Sequence, residues 1–305
     1  MMKEPIVTIG ICVKNGEKSI TKALDSVVAQ DFSHELLEIL LVDDGSTDNT
    51  YKIVKNYSQK TDIYMRIFHE EWHGLGISRN IIVKNARGKY VIWVDCDERL
   101  SQDFVRKEVD YMEKNPKIGI CLGLLVMPKN NMLVKLDLLP FLIDRLKFIE
   151  KGTPLRRPAT GGTIFRAEAL RQVDGFDERM KGAGEDVDIA YRIKNKGWFI
   201  GATTAKFLEG KGSIRNYGQL WKKHFWYGYG NHAVYLRNKN AVNQIRMNPI
   251  AGMLAGILYA IDAYRLTGEK SFFFLLPINY AFKYTAWSCG FSKSHLRMIG
   301  QRKAI

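Results

Sequence analysis

Lys89-Tyr-Val-Ile-Trp-Val-Asp-Cys-Asp-Glu98 is an apolar run, Tyr90 to Val94, that stops abruptly on two carboxylates, Asp95 and Asp97. An uncharged run of this length, bounded by polar groups, predicts a strand buried on both faces. Residues i and i+2 of a strand share a face, so Asp95 and Asp97 are expected to point the same way at its carboxyl end. Open α/β sheets hold their ligands there. Neighbouring carboxylates repel unless a cation lies between them, and a hard divalent ion with a bound diphosphate meets that need. A second reading is a polar strand end leading into a helix, because Ser101 followed by Gln102 and Asp103 looks like a cap.

Working outward, Ile6 to Val13, Leu36 to Val42 and Tyr64 to Phe68 are further strand-like runs. Helical spacing separates them, at Ser19 to Ala29, Asn49 to Ser58 and Gly74 to Ala86, the last carrying Arg79 and Asn80. This alternation predicts parallel strands joined by right-handed helical crossovers, an α/β nucleotide-binding unit. Asp43-Asp44-Gly-Ser-Thr-Asp48 and the Asp95/Asp97 pair then fall at the carboxyl ends of neighbouring strands and open on one crevice. The first strand is not followed by GxGxxG, and the chain has no GxxxxGK[ST], so neither a dinucleotide fold nor a P-loop enzyme is supported.

Downstream, Phe104 to Lys114 reads as a helix and Ile118 to Met127 as an apolar run. Asn131 to Glu150 reads as an amphipathic helix interrupted near Pro140, facing either the core or a hydrophobic acceptor or membrane. A loop, Lys151 to Pro158, carries Arg156-Arg157. Gly161 to Arg166 reads as a strand, followed by a short helix and Asp174-Gly-Phe-Asp177. A helix from Val187 to Lys196 places Glu185 and Asp186 at its N-terminus, where the dipole favours an ionised carboxylate. Capping and catalysis both fit that position.

The 305 residues allow one large domain with an appendage, or two domains. Cys12, Cys96, Cys121 and Cys289 show no CxxC spacing, which argues against a zinc site or disulfide frame and for a reducing compartment. A strand-like run begins almost at once, so no signal peptide is expected. The net charge of +14 is uneven: from Asn216 to Ile305, twelve Lys and Arg stand against only Asp262 and Glu269. The most apolar stretches, Pro249 to Tyr264 and Phe272 to Phe291, lie in the same segment. Basic and apolar together indicates a membrane surface rather than nucleic acid. Interfacial or re-entrant helices, a spanning two-helix hairpin, and a soluble cap or dimer contact remain open. The expected division is 1–215 and 216–305.

Taken together, Ile9-Gly-Ile-Cys-Val-Lys-Asn15, Ser26-Val-Val-Ala-Gln30, Val42-Asp-Asp-Gly-Ser-Thr-Asp48, Ser78-Arg-Asn80, Gly88 to Asp97, Asp174-Gly-Phe-Asp177, and Gly184-Glu-Asp186 with Arg192 resemble a family 2 glycosyltransferase over about Pro5 to Asn231. The resemblance implies a GT-A fold, a Rossmann-like mixed and mostly parallel sheet flanked by helices. It also implies a nucleotide-diphosphate sugar donor (UDP-sugar foremost, GDP-sugar possible), Mg2+ or Mn2+, and inversion of the anomeric centre. Carried over, Asp44 accepts a hydrogen bond from the base, while Cys12 and Val13 line its pocket and Asn15 stands beside them. Arg79 approaches the nucleotide. Asp97 is the main metal ligand, Asp95 contacts ribose or metal, and Asp186 is the catalytic base. Many relatives have a metal-site His downstream, where this chain has Glu209 in Ala205-Lys-Phe-Leu-Glu-Gly-Lys-Gly-Ser213, so Glu209 is the candidate third ligand. His224, in a basic-aromatic helix, is read as structural. The implied activity is sugar transfer to a hydroxyl of a lipid-linked or cell-surface glycan at the cytoplasmic membrane face, with homo-oligomers through the C-terminal helices possible. The alternatives are a polyprenyl-phosphate sugar synthase and a non-catalytic sugar-nucleotide-binding protein.

Overall fold

The computed structural model describes residues 4–128, 130–155, 159–180, 183–210 and 214–303, with side chains to residue 300. Arg156, Arg157, Pro158 and Lys211 to Ser213, all named above, lie outside the described residues. Two compact units form: Met1–Val126 with Arg145–Lys181 and Ile189–Lys211, and Met127–Asp144 with Gly182–Asp188 and Gly212–Ile305.

The first unit is built on one eight-stranded sheet. Its strands are β1 (Val7–Val13), β2 (Leu37–Asp44), β3 (Tyr64–Glu70), β4 (Tyr90–Trp93), β5 (Arg99–Leu100), β6 (Ile118–Leu125), β7 (Thr163–Arg166) and β8 (Phe199–Leu208), in the order β3-β2-β1-β4-β7-β6-β8-β5. The first four in that order run parallel, β7 is antiparallel to both β4 and β6, and β8 is parallel to β6. Every residue of β2 and β4 is buried, as expected for strands covered on both faces. The helices α1 (Ile20–Val28), α2 (Thr50–Ser58), α3 (Leu75–Asn85), α4 (Phe104–Lys114) and α6 (Ala167–Arg171) belong to this unit.

Two expectations are corrected. The strands bearing the acidic clusters are not neighbours: β1 lies between β2 and β4, so the crevice spans three strand ends. Asp95 and Asp97 are not strand residues either. β4 stops at Trp93, and the Glu98 amide donates to the Asp95 carbonyl at 2.9 Å, closing a turn. Both carboxylates are exposed through turn geometry, not strand alternation.

A third correction concerns α5 (Met132–Lys151), which runs through Pro140 without interruption. Proline lacks the N–H that would bond the carbonyl four residues back. That carbonyl, of Leu136, instead accepts the side-chain amide of Asn279 at 3.3 Å. A tertiary donor thus repairs the helix. Residues 132–144 of α5 lie in the second unit, with the first residues of α7 (Glu185–Asn195), α8 (Tyr217–Arg237), α9 (Pro249–Thr267) and α10 (Phe272–Lys303). There, buried Asp137 accepts from His224 Nε2 at 2.9 Å and from Lys283 Nζ at 3.2 Å, and Lys223 lies at 3.1 Å. Burial holds the His224 imidazole down to about 4 although Asp137 opposes this. His224 therefore serves a packed ion cluster.

In the first unit, Glu108 of α4 is completely buried and accepts Thr203 Oγ1 at 2.6 Å. Burial pushes its carboxyl up to about 8, against the Thr203 bond and the field of Arg145. Folding therefore favours the protonated form. The associated stability is complete below the ordinary carboxylate range and is lost as pH rises from there through about 8. Glu108→Gln keeps the Thr203 bond and removes the titration. We expect its Tm to match wild type near pH 5 and to exceed it near pH 8.5, by the equivalent of roughly 1–3 kcal/mol. Parallel Tm curves for the two proteins across that range would refute this.

Candidate active site

The site begins where three strands end. After β1, Asn15 takes a left-handed conformation (φ 54°), and its Oδ1 accepts the Thr47 amide at 2.8 Å. Its own amide donates to Ser46 Oγ at 2.9 Å, and the Gly16 amide donates to Thr50 Oγ1 at 2.8 Å. The loop after β1 is thereby laced to the loop after β2. Much of Asp43-Asp44-Gly-Ser-Thr-Asp48 is framework by this geometry. Asp43 accepts the Ser46 amide at 3.0 Å and His69 Nδ1 at 3.2 Å, and Asp48 accepts the Thr50 amide at 3.0 Å.

Asp44 is buried and accepts the amides of His73 at 2.8 Å and Gly74 at 3.2 Å, one on each oxygen. Each carboxylate oxygen can accept a second hydrogen bond, so Asp44 is fixed in place and still able to receive a donor group. Beside these amides stands Trp72, 54 % exposed, with Lys14 Nζ 4.8 Å from its ring. An exposed indole at this point is a flat surface on which a base can stack. Sequence periodicity carried no signal for it.

Arg79 is buried, donates to Thr160 Oγ1 at 2.6 Å, and lies over the rings of Trp93 and Phe176. It stands behind the crevice rather than in the open. Burial pushes the Cys12 thiol up to about 12; Arg79 opposes this, while Asp95 and Asp44 add to it. Cys12, Asp44, Arg79 and Asp95, named separately from sequence, thus share one electrostatic neighbourhood. Asn80, from the same motif as Arg79, clamps a loop: it accepts the Phe176 amide at 2.7 Å and donates to the Phe176 carbonyl at 2.8 Å.

The Asp95–Glu98 turn rests on Glu98, which sequence reasoning did not single out. Glu98 is buried, and its Oε2 accepts the amides of Asp95 and Gly162, each at 3.0 Å. Burial first, then Asp95, Glu209 and Asp97, raise its carboxyl well above the ordinary range. Four acidic side chains therefore feel one another here. The cation set among them is buried Arg145, which donates to the Gly123 carbonyl at 2.7 Å and is brought down to about 10 by burial, against the pull of Glu98, Glu108 and Glu209. Gly161 and Gly210 let the chain close on the turn: a Cβ at Gly161 would collide with Glu98 Oε1, and one at Gly210 with Asp97.

Among the described residues, no three His, Cys, Asp or Glu side chains form a ready metal cage, so Asp95, Asp97 and Glu209 are not gathered as one. The donor set still suits a hard cation. Two exposed carboxylates backed by a crowded third match an ion that takes one or two protein ligands and fills the rest with phosphate and water. Asp186 belongs to the second unit, in the first turn of α7, half-exposed, with Oδ1 accepting the Val187 amide at 2.8 Å.

A mostly parallel sheet with a pinned aspartate, a buried arginine and an acidic turn at its carboxyl edge defines an open α/β domain with a crevice where its strands end. A sequence model described as "Glycosyl transferase family 2" matches residues 8–174, and the chain belongs to that family. The poly(ribitol-phosphate) beta-N-acetylglucosaminyltransferase TarS of Staphylococcus aureus is 31% identical over 115 residues, 38% of this chain and 20% of TarS. Glycosyltransferase GlyA of Streptococcus pneumoniae is 35% identical over 115 residues, 36% of this chain and 16% of GlyA. The matches to these curated relatives thus span about a fifth of their length or less. Among solved structures, the mannosyltransferase PcManGT from Pyrobaculum calidifontis, in complex with GDP-Man and Mn2+, superposes with a TM-score of 0.72 at 17% identity, covering 96% of this chain and 87% of that one. TarS residues 1–349 with UDP-GlcNAc gives 0.53 at 17% identity, covering 95% and 91%. The fold is GT-A, as the motifs implied.

Gly161→Ala tests the packing of the acidic turn. The added methyl must displace Glu98 or the turn itself, and overpacking of this kind costs about 1–3 kcal/mol. We expect a Tm lowered by several degrees, and an unchanged transition would show that Glu98 yields freely.

Proposed function

We propose that the chain moves a sugar from a nucleotide-diphosphate sugar to a hydroxyl of a lipid-linked or cell-surface glycan, inverting the anomeric centre. The observation that carries this reading is the Asp95–Glu98 turn: two exposed carboxylates over a buried third, sharing a neighbourhood with Asp44 and Arg79. Family membership supports glycosyl transfer. GDP-Man and Mn2+ in PcManGT, and UDP-GlcNAc in TarS, support a nucleotide-sugar donor and a divalent cation. Mg2+ serves the same chemistry.

In this reading residues 1–215 form the catalytic domain and 216–305 a membrane-associated region at the cytoplasmic face. Asp44 receives the base, Trp72 stacks on it, and Cys12, Val13 and Asn15 border it. Asp97 is the main metal ligand, Asp95 contacts metal or ribose, and Glu209 contributes a third carboxylate. When bound, the cation stabilises the charge that grows on the departing diphosphate. Asp186 accepts the proton of the acceptor hydroxyl as its oxygen bonds the anomeric carbon and the bond to the diphosphate breaks. A base at this position favours a hydroxyl acceptor over a polyprenyl phosphate, which is already ionised and needs none.

Thermal-shift titration with nucleotide diphosphates and nucleotide sugars, with Mg2+ or Mn2+, tests donor and metal together. Ligand at about 100 times its Kd stabilises by about 2.7 kcal/mol. We expect selective stabilisation by one base, dependent on metal, lost in Asp97→Ala and weakened in Trp72→Ala. Unchanged metal dependence in Glu209→Ala would remove Glu209 from the ligand set.

Asp186→Asn separates catalysis from binding. We expect turnover to fall by roughly 10²–10⁴ with the donor-induced shift retained. Equal turnover in both proteins, measured as nucleotide release with acceptor present, would overturn the assignment of the base.

A further inference from the structure

Helix α9 in the second unit has its apolar pattern turned outward. Its buried row is small: Gly252, Gly256, Ala260 and Ala263. Its exposed row is large: Ile250, Met253, Leu254, Ile257, Leu258 and Ile261, with Ile250 at 67% and Leu258 at 66% exposure. A helix on a water-soluble bundle buries the large residues and exposes polar ones. The small row lets α10 approach closely: a Cβ at Gly252 would lie 2.8 Å from the Tyr284 ring, and one at Gly256 would lie 2.6 Å from Pro277 Cα. Small residues three or four positions apart are how helices pack in lipid, where the outer surface has no water to avoid. Phe273, Phe274 and Ile278 of α10 are exposed as well, Phe274 at 75%.

With 19 residues, α9 is long and apolar enough to cross a membrane by length and composition. Its packing points elsewhere. The turn end of the α9–α10 hairpin is packed on α5: Ala260, Ala263, Phe272 and Leu276 cluster with Leu136, Leu139 and Ile143. Tyr259 donates to Asp144 at 2.7 Å, and Lys135 lies 3.8 Å from Glu269. A spanning hairpin would carry Lys135, Asp144 and the Asp137 ion cluster into hydrocarbon, which is costly for each charge. One face entering one leaflet avoids this. The charges fit an anionic surface: Arg265 is 75% exposed, Lys270 past the end of α9 is exposed as well, and α9 has no acid other than half-buried Asp262.

We propose that the outer face of α9, with Phe273, Phe274 and Ile278, lies in a single leaflet of an anionic bilayer, and that the hairpin does not span it. This rests on the membrane reading given above and commits it to a face and a depth.

The test is flotation of the full chain with phosphatidylcholine vesicles, with or without phosphatidylglycerol. We expect binding to the anionic vesicles that weakens with salt. Leu254→Glu/Leu258→Glu is expected to lower the bound fraction about tenfold or more. Its circular dichroism and donor-induced thermal shift should stay unchanged, because both side chains are already exposed. In a Cys289→Ser background, Lys270→Cys should react with an impermeant maleimide added outside the vesicles. Protection of that cysteine until detergent is added would establish a spanning hairpin and overturn the proposal. Equal flotation of wild type and the double variant would overturn the face assignment and leave the membrane reading standing. No flotation of wild type would overturn both. If a dimer forms without lipid and the double variant dissociates it, the occupant is a second copy.

Discussion

The constraint on which the candidate site depends is the confinement of carboxylates after β4. Asp95, Asp97 and Glu98 lie within a single turn, and Glu209 adds its field at the end of β8. Such a cluster costs free energy unless positive charge or protons relieve it. The protein supplies part of this relief through Arg145, buried and bonded to the Gly123 carbonyl. The exposed side of the turn carries Asp95 and Asp97. Glu98 turns the crowding into order. By accepting the Asp95 and Gly162 amides it fixes the turn against the loop that precedes β7.

A second layer of order comes from loops that hold one another. Asn15, Ser46, Thr47 and Thr50 tie the ends of β1 and β2 together, and Asp44 fixes the start of α3 through the His73 and Gly74 amides. Several motif residues are thus framework. Asn80 and Asp43 hold backbone, while Asp95 and Asp97 face outward. A site held this way presents its groups with little reorganisation.

Much of this was legible in the chain. The strand–helix alternation, the acidic residues that close the apolar runs and the uneven charge of the last ninety or so residues are all local patterns, and local patterns survive in one dimension. The errors share a cause. Strand order is a long-range property, and nothing in Val42 or Trp93 says that β1 separates their strands. The continuity of α5 at Pro140 depends on Asn279, a residue far along the chain. Glu98, Arg145 and Trp72 escaped notice because a charged or aromatic residue shows its role only through burial or neighbours.

By itself the sequence determined the family, the parallel α/β organisation and the identity of the acidic groups, because hydrophobic period and motif spacing encode them directly. Only the tertiary structure decided that Asp95 and Asp97 project from a turn, that Glu98 anchors them, and that α9 shows its large side chains outward. Those features depend on which distant segments meet, and burial and charge take their values only after that meeting.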